Sequence, residues 1–274
     1  KVTNTGHPLR SALPREVRRI IREGGLDKPT AGMADGYVQA NLVILPEAEA
    51  GHFLDFCRAN PKPCPLLGVS KPGDVSLDTV AAGLDIRTDL PGYRIFHDGR
   101  VTERVADLTP HWCDDLVTFV LGCSFSFEHA LMDGGLAVRH IDLGRNVPMF
   151  RTTIPTEARG PFNGPLVVTM RPYKPADAIA AIQLSGRYPL AHGAPVHMAF
   201  PEAIGIDDLG APDYGDPVPV EPGEIPVFWA CGVTPQVALE RAGLPFAITH
   251  DPGHMLITDI ANARIADVEE LETN

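Results

Sequence analysis

Two stretches of the chain, LGCSFSFEHAL (121–131) and WACGVTPQVAL (229–239), align without a gap, setting Cys123 against Cys231, Ser126 against Thr234 and Glu128 against Gln236. In each, an apolar run ends at a cysteine, a turn follows, and a hydroxyl residue stands where it can cap a helix. A strand–turn–helix corner of this kind aims free backbone N–H groups and the positive end of a helix dipole at one spot, which suits a bound carboxylate or phosphate. Cys123, Ser124 and Ser126 belong to the first turn; Cys231, Gly232 and Thr234 belong to the second. A helix start can also draw a thiol pKa down from about 8.5 to roughly 3.5–7.5, which would make Cys123 a nucleophile. The plain alternative is that both cysteines are small core residues at two buried strand–helix junctions. A hydrolase elbow does not fit, because GCSFS lacks the closing glycine.

The stretch ITHDPGHMLITD (248–259) gathers His250, Asp251, His254 and Asp259. Its HxxxH spacing serves zinc only on a helix, and Pro252-Gly253 breaks any helix there. Asp-Pro-Gly-His is instead a type II turn, with Pro252 second and Gly253 third. That brings Asp251 beside His254, and an Asp that orients an imidazole suits proton transfer near neutral pH; a polar turn that bonds only its own backbone is the competing reading. His250 is the reserve proton carrier, and a non-helical metal site with Asp259 is the weakest alternative. Arg151 in PMFRTTIPT and Arg171 in VVTMRPY adjoin strand-like sequence, and a guanidinium fork matches a carboxylate's two oxygens.

The elements that must position these residues are legible in outline. SALPREVRRIIREGG reads as a helix with Pro14 early and Gly24 at its stop. YVQANLVIL (37–45) reads as a strand, PEAEAGHFLDFCRANP as a helix and CPLLGV (64–69) as a strand, which together make a β-α-β unit. Asp98-Gly99 between YRIF and RVTERV predicts a hairpin. GPLVVTMRPY predicts a strand, PADAIAAIQLSG a helix, PVHMAF a strand, VFWACG a buried strand and TPQVALERAG a helix capped by Thr234. The expected fold class is α/β: a mixed-sheet main domain formed by 1–145 with 215–274, and a smaller inserted α/β subdomain at 146–214. The proline-rich run APDYGDPVPVEPGEIP (211–226) is the exit linker.

At 274 residues, with 44% hydrophobic and 21% charged residues, the chain has ample material for packed cores. Its net charge of −12 argues against a nucleic-acid partner, because a negative field repels a polyanion. The basic run from Arg15 to Arg22 is interrupted by Glu16 and Val17 and reads as a solvated helix face. No apolar run approaches the roughly 20 residues that span a bilayer, so no membrane partner is expected. The start of the sequence lacks a charged-then-apolar leader pattern. Five scattered cysteines without close CxxC pairs fit reduced thiols, and a cytoplasmic protein is the expectation.

The blocks CPLLGVS, FVLGCSFSFE, PMFRTTIPT, GPLVVTMRP, FWACGVTPQ and ITHDPGHMLITD, spread over nearly the whole chain, resemble the signature blocks of the bacterial hydro-lyase family. The catalytic domain of mitochondrial D-glutamate cyclase belongs to the same family. The resemblance implies a two-part α/β protein and, through the cyclase branch, reversible loss of water from D-glutamate to give 5-oxo-D-proline. It carries no residue roles; those follow from chemistry. Closing the lactam needs an anchor for the spare carboxylate, a base for the ammonium and donors for the departing oxygen. Arg151 or Arg171 can anchor, His254 with Asp251 can move protons, and the helix starts after Cys123 and Cys231 can hold oxyanions. No redox or carbon-acid step is involved, so no organic cofactor is implied, and no metal-site residues are assigned. The partner is a small carboxylate or amino acid, and the subunit number, a homo-oligomer included, stays open. The alternatives are a cysteine-dependent amidohydrolase and a non-catalytic carboxylate-binding module.

Overall fold

A computed structural model describes residues 7–266. The described residues divide into two compact units: unit one takes 7–51 with 67–121 and 243–264, and unit two takes 52–66, 122–242 and 265–266. The expected 146–214 segment lies inside unit two, whose limits are wider. The reason is packing: the strand 225–230 and the helix 125–133 both lie against elements of 146–214.

Unit one is built on β1 (Tyr37–Pro46), whose residues 38–45 are all buried, as a central strand requires. The sheet runs β2 (Leu66–Val69), β5 (Leu116–Leu121), β1, β10 (Ala247–His250), β3 (Tyr93–His97), β4 (Arg100–Val105), and β11 (Leu256–Ala261) also pairs with β1. The helix α2 (Glu47–Ala59) follows β1 as expected, but β5 occupies the place between β1 and β2, so those two strands are not neighbours. β3 and β4 form the predicted hairpin, with Asp98 at φ 49° and Gly99 at φ 74°. Helix α1 (Pro14–Arg22) buries Val17 and Ile21 against Met33, Ala34 and Ile257. Its Arg18 is buried too, donating to the Ile257 carbonyl and gripping both oxygens of Asp259.

Unit two carries the sheet β6 (Met149–Pro155), β7 (Pro165–Tyr173), β9 (Ile225–Ala230), β8 (His197–Met198). Successive side chains on a strand face opposite ways. One face of β7 and β9 gives the apolar set Val168, Met170, Phe228 and Ala230, packed with Phe150, Ile204 and Ile206. The other face carries Val167, Thr169, Arg171 and Tyr173, with Thr169 directly opposite Trp229. The helices α3 (Phe125–Asp133), α4 (Arg139–Asp142), α5 (Pro175–Gly186) and α6 (Thr234–Ala242) belong to this unit, and α4, α5 and α6 pack on β7. The expected strand PVHMAF shrinks to two residues because Ala199 and Phe200 take positive φ, 54° and 39°, which ends strand pairing.

Candidate functional site

The two cysteine corners have the same local build. In the second, the Val233 N–H points at Cys231 Sγ over 3.5 Å; in the first, the Phe125 N–H bears on Cys123 in the same way. Gly122, which leads into the first turn, has no room for a side chain, since a Cβ would stand 1.7 Å from the Leu190 carbonyl oxygen. Both thiols are buried, and burial pushes Cys123 up to about 12 and Cys231 up to about 11 against the opposing pull of those amides. The neighbouring Glu128 charge raises Cys123 further. This corrects the expectation of a thiolate: the helix start is present, but desolvation outweighs it, so Cys123 is a neutral thiol at neutral pH.

The corners converge on Arg171. Its Nε donates to Glu128 Oε1 over 3.1 Å, and an Nη2 bond to the same oxygen is shorter. Nη1 donates to Thr169 Oγ1 at 2.9 Å, and Nη2 reaches Ser124 Oγ at 3.3 Å. The guanidinium carbon sits 4.9 Å from the Phe127 ring centre and 5.2 Å from that of Trp229, and those rings stack on each other at 5.6 Å. Phe127 comes from the first corner and Trp229 from the strand entering the second, so one cation lies beside a ring from each. His140 Nε2 lies 3.3 Å from Glu128 Oε1. Its short helix is pinned by Arg139, which pairs with Glu224 and donates to the Pro219 carbonyl. Burial alone would raise the Glu128 carboxyl, but Arg171 and His140 overcome it and hold the group at about 2. Tyr173, on the same face of β7 as Arg171, is pushed up to about 12 by burial and its hydroxyl has no partner among the described residues.

The two expected helix caps take other roles. Thr234 Oγ1 accepts from the Val167 N–H at 3.0 Å, which ties α6 to β7, while Ser126 Oγ is buried with no partner among the described residues. Ser124, which precedes α3, makes no capping bond and faces Arg171 instead.

Arg151 does not join this cluster. It lies half-exposed, bonded to the Tyr214 hydroxyl at 3.0 Å through Nε and 3.2 Å from Glu240. The hollow of about 250 Å³ beside it is lined by Asp207, Asp208 and Asp213, the wrong charge for an anionic substrate. Arg171 is in place, but its fork is filled by Glu128, so it organises a carboxylate of the protein rather than presenting an open anchor.

Unit one holds the Asp251-Pro252-Gly253-His254 turn, and its type is as expected: Gly253 has φ 81° and the His254 N–H donates to the Asp251 carbonyl at 2.8 Å. The turn is clamped rather than free, with Thr30 donating to and accepting from its backbone and the Asp251 N–H held by Gly92. His254 Nδ1 stands 3.7 Å from Asp251 Oδ2, beyond a hydrogen bond. Asp251 pairs instead with Arg94 at 2.6 Å, and His254 Nδ1 lies 3.1 Å from the Pro252 carbonyl. A carbonyl only accepts, so Nδ1 is the donor in that contact. His250 is a sheet residue: its Nδ1 accepts from the Leu42 N–H at 3.1 Å, and burial pushes its pKa down to about 4, which removes it as a proton carrier near neutrality. Among the described residues no three His, Cys, Asp or Glu side chains gather as a metal ion would need.

Glu128, His140, Thr169, Tyr173 and Gln236 were not named as site residues from sequence. A signal existed for part of the set: Thr169 and Arg171 alternate with Val168 and Met170, placing polar groups on one face of a strand otherwise fit for a core. Glu128 aligned with Gln236, and only the fold reveals its partner. Nothing in the sequence brings His140 to Glu128.

A family model described as D-glutamate cyclase matches residues 117–259, which include both corners, Arg171 and the Asp251–His254 turn. A "Putative hydro-lyase" of Bradyrhizobium sp. is 58% identical over 254 residues, 93% of each chain. A "Putative hydro-lyase" of Bordetella petrii is 56% identical over 260 residues, 95% of this chain and 98% of the relative, and one of Bordetella pertussis is 59% identical over 251 residues, 92% and 91%.

Proposed function

The chain belongs to the D-glutamate cyclase family of hydro-lyases, and from that premise we propose that it removes water from D-glutamate to give 5-oxo-D-proline, using the buried cluster of unit two. The observation that carries this reading is a buried, ionised Glu128 on the first turn of α3, held by Arg171 and paired with His140, with Trp229 of the strand entering the second corner against the same arginine.

The reaction sets clear requirements. The ammonium must shed protons, the freed amine must attack the side-chain carboxylate, and one oxygen must leave. The two protons lost by nitrogen depart in the water, so a single group that takes up and returns protons is sufficient. Glu128 fixes His140 as Asp does in hydrolytic triads, making it that group. The first N–H groups of α3 and α6 are taken up inside the corners, by the cysteine sulfurs and by the Cys123 and Cys231 carbonyls. What the two helix starts offer the negative charge that grows on the attacked carboxylate is therefore the positive end of each helix dipole, strengthened by dry surroundings. Arg171, itself bonded to Thr169, holds Glu128 and Ser124 in place without touching substrate. The neutral thiols of Cys123 and Cys231 argue against the cysteine-dependent amidohydrolase, whose attack needs a thiolate.

The test is incubation of the protein with D- and L-amino acids and hydroxy acids, followed by mass spectrometry. The expected result is an 18-dalton loss from D-glutamate and the reverse gain from 5-oxo-D-proline. Binding of acidic amino acids with no change of mass would replace the enzyme reading by a carboxylate-binding module.

A further inference from the structure

Of the buried side-chain atoms that lack a partner among the described residues, two stand on the first turns of the corner helices: Ser126 Oγ on α3 and Gln236 Nε2 on α6. Ser126 is 1% exposed and Gln236 4%, and each helix has nine residues. Helical side chains lean toward the amino end of their helix, so both lie over the cysteine turns. Holding a polar atom unpaired in a dry interior is costly, and native folds rarely do so without a reason.

The corner repeat supplies the contrast. Thr234 aligns with Ser126 and uses its hydroxyl on the Val167 backbone, whereas Ser126 is left unused. Glu128 aligns with Gln236 and is engaged through Oε1 by Arg171 and His140, whereas the Gln236 amide nitrogen has no partner among the described residues. The amide nitrogen can only donate, and the hydroxyl can donate as well; what both lack is an acceptor. A carboxylate at neutral pH is acceptor only. Because Glu128 already cancels the charge of Arg171, neutral donors and helix starts suit a singly charged carboxylate better than a doubly charged phosphate.

Resting on the lyase reading of the same cluster, we propose that Ser126 Oγ and Gln236 Nε2 donate hydrogen bonds to the oxygens of one bound carboxylate, forming a subsite to which each corner contributes one side chain. This subsite takes the substrate carboxylate that Arg171 is not free to anchor.

The test is calorimetric binding of D-glutamate, glutarate and inorganic phosphate to the full chain and to Ser126→Ala and Gln236→Met, with a melting curve for each protein. The wild type should bind the two carboxylates and not phosphate. Each substitution should weaken carboxylate binding by about 10- to 100-fold, as loss of a hydrogen bond to a charged group does. Without ligand, Ser126→Ala should melt no lower than the wild type, because it removes an unpaired buried hydroxyl; a purely structural serine would show the reverse. Carboxylate affinity unchanged in both variants overturns the assignment even if the lactam forms, and phosphate binding in preference to glutarate overturns it as well. Weakened glutarate binding in variants of a protein that makes no lactam supports the subsite and overturns the lyase reading instead.

Discussion

The first corner, at Cys123, and the second, at Cys231, share a sequence pattern and a sulfur facing an amide two residues on. They differ in how their polar side chains are occupied. In the second corner the hydroxyl serves the fold, since Thr234 ties α6 to β7 through Val167. In the first, the carboxylate of Glu128 is held ionised between Arg171 and His140, Ser124 reaches the same arginine, and Ser126 is left unpaired. One copy of the motif supports the scaffold and the other carries charge in a dry place. Ion pairs of that kind are weak evidence for stability, because desolvation opposes their attraction. Their persistence beside orphaned donors points to chemistry.

The largest effect that can break this comparison is on Arg171. Arg171→Met leaves Glu128 buried without its counter-charge and should cost about 3–5 kcal/mol, read as a fall in denaturant midpoint. A loss below ~1 kcal/mol would mean that water reaches the cluster and that the first corner is not dry.

Next comes the rate. His140→Asn should lower lactam formation by about 10² to 10⁴, the usual worth of a positioned proton carrier. His254→Asn is the informative partner experiment, since His254 sits on a clamped turn with the Asp251 carboxylate 3.7 Å away, beyond hydrogen-bond distance. The larger loss is expected at His140; a larger loss at His254 would move the proton transfer to the turn.

A smaller effect separates the corners by stability alone. Thr234→Val leaves the buried Val167 N–H without its acceptor and should cost about 1–3 kcal/mol. Ser126→Ala, at the aligned position, should cost nothing in the ligand-free protein. Equal losses at the two positions would show that both hydroxyls serve structure.

The acid response sharpens the same picture. His250 and His192 are pushed down by burial to about 4 from the ordinary 6.5, so the unfolded chain binds their protons first and stability falls as pH drops from about 6.5 to 4. Glu128 is held at about 2 against an ordinary 4.5, so its contribution is complete above about 4.5 and is lost as pH falls toward 2. Melting temperature against pH should therefore fall in two stages, and Glu128→Gln should shrink only the lower one, to which Asp85, Asp107 and Glu224, also held below their ordinary values by hydrogen bonds from Arg87, Thr109 and Arg139, still contribute.

Local patterns in the sequence were enough to place most elements. The Asp98-Gly99 hairpin, the Asp-Pro-Gly-His turn and the Pro175–Gly186 helix formed as expected, because each is decided by residues within a few positions. The insertion of β5 between β1 and β2 depends on pairing over long separations, which periodicity does not encode. The corner repeat was legible, but its consequence for Cys123 was not: a helix start argues for a thiolate, and only burial in the fold decides against it. Arg171 was visible as a candidate from the apolar strand around it. Its partner Glu128 was hidden, because 43 residues separate the two in the chain.

The central claim is that the ionised Glu128 of the first corner drives lactam formation through His140. The direct measurement is the initial rate of 5-oxo-D-proline formation by Glu128→Gln, taken at a temperature where its melting curve shows the variant folded. A loss of about 10²-fold or more with the fold intact is predicted, since a neutral amide cannot hold His140 as a carboxylate does. Wild-type rate in the folded variant would contradict the account, leaving Glu128 as no more than the counter-ion of Arg171.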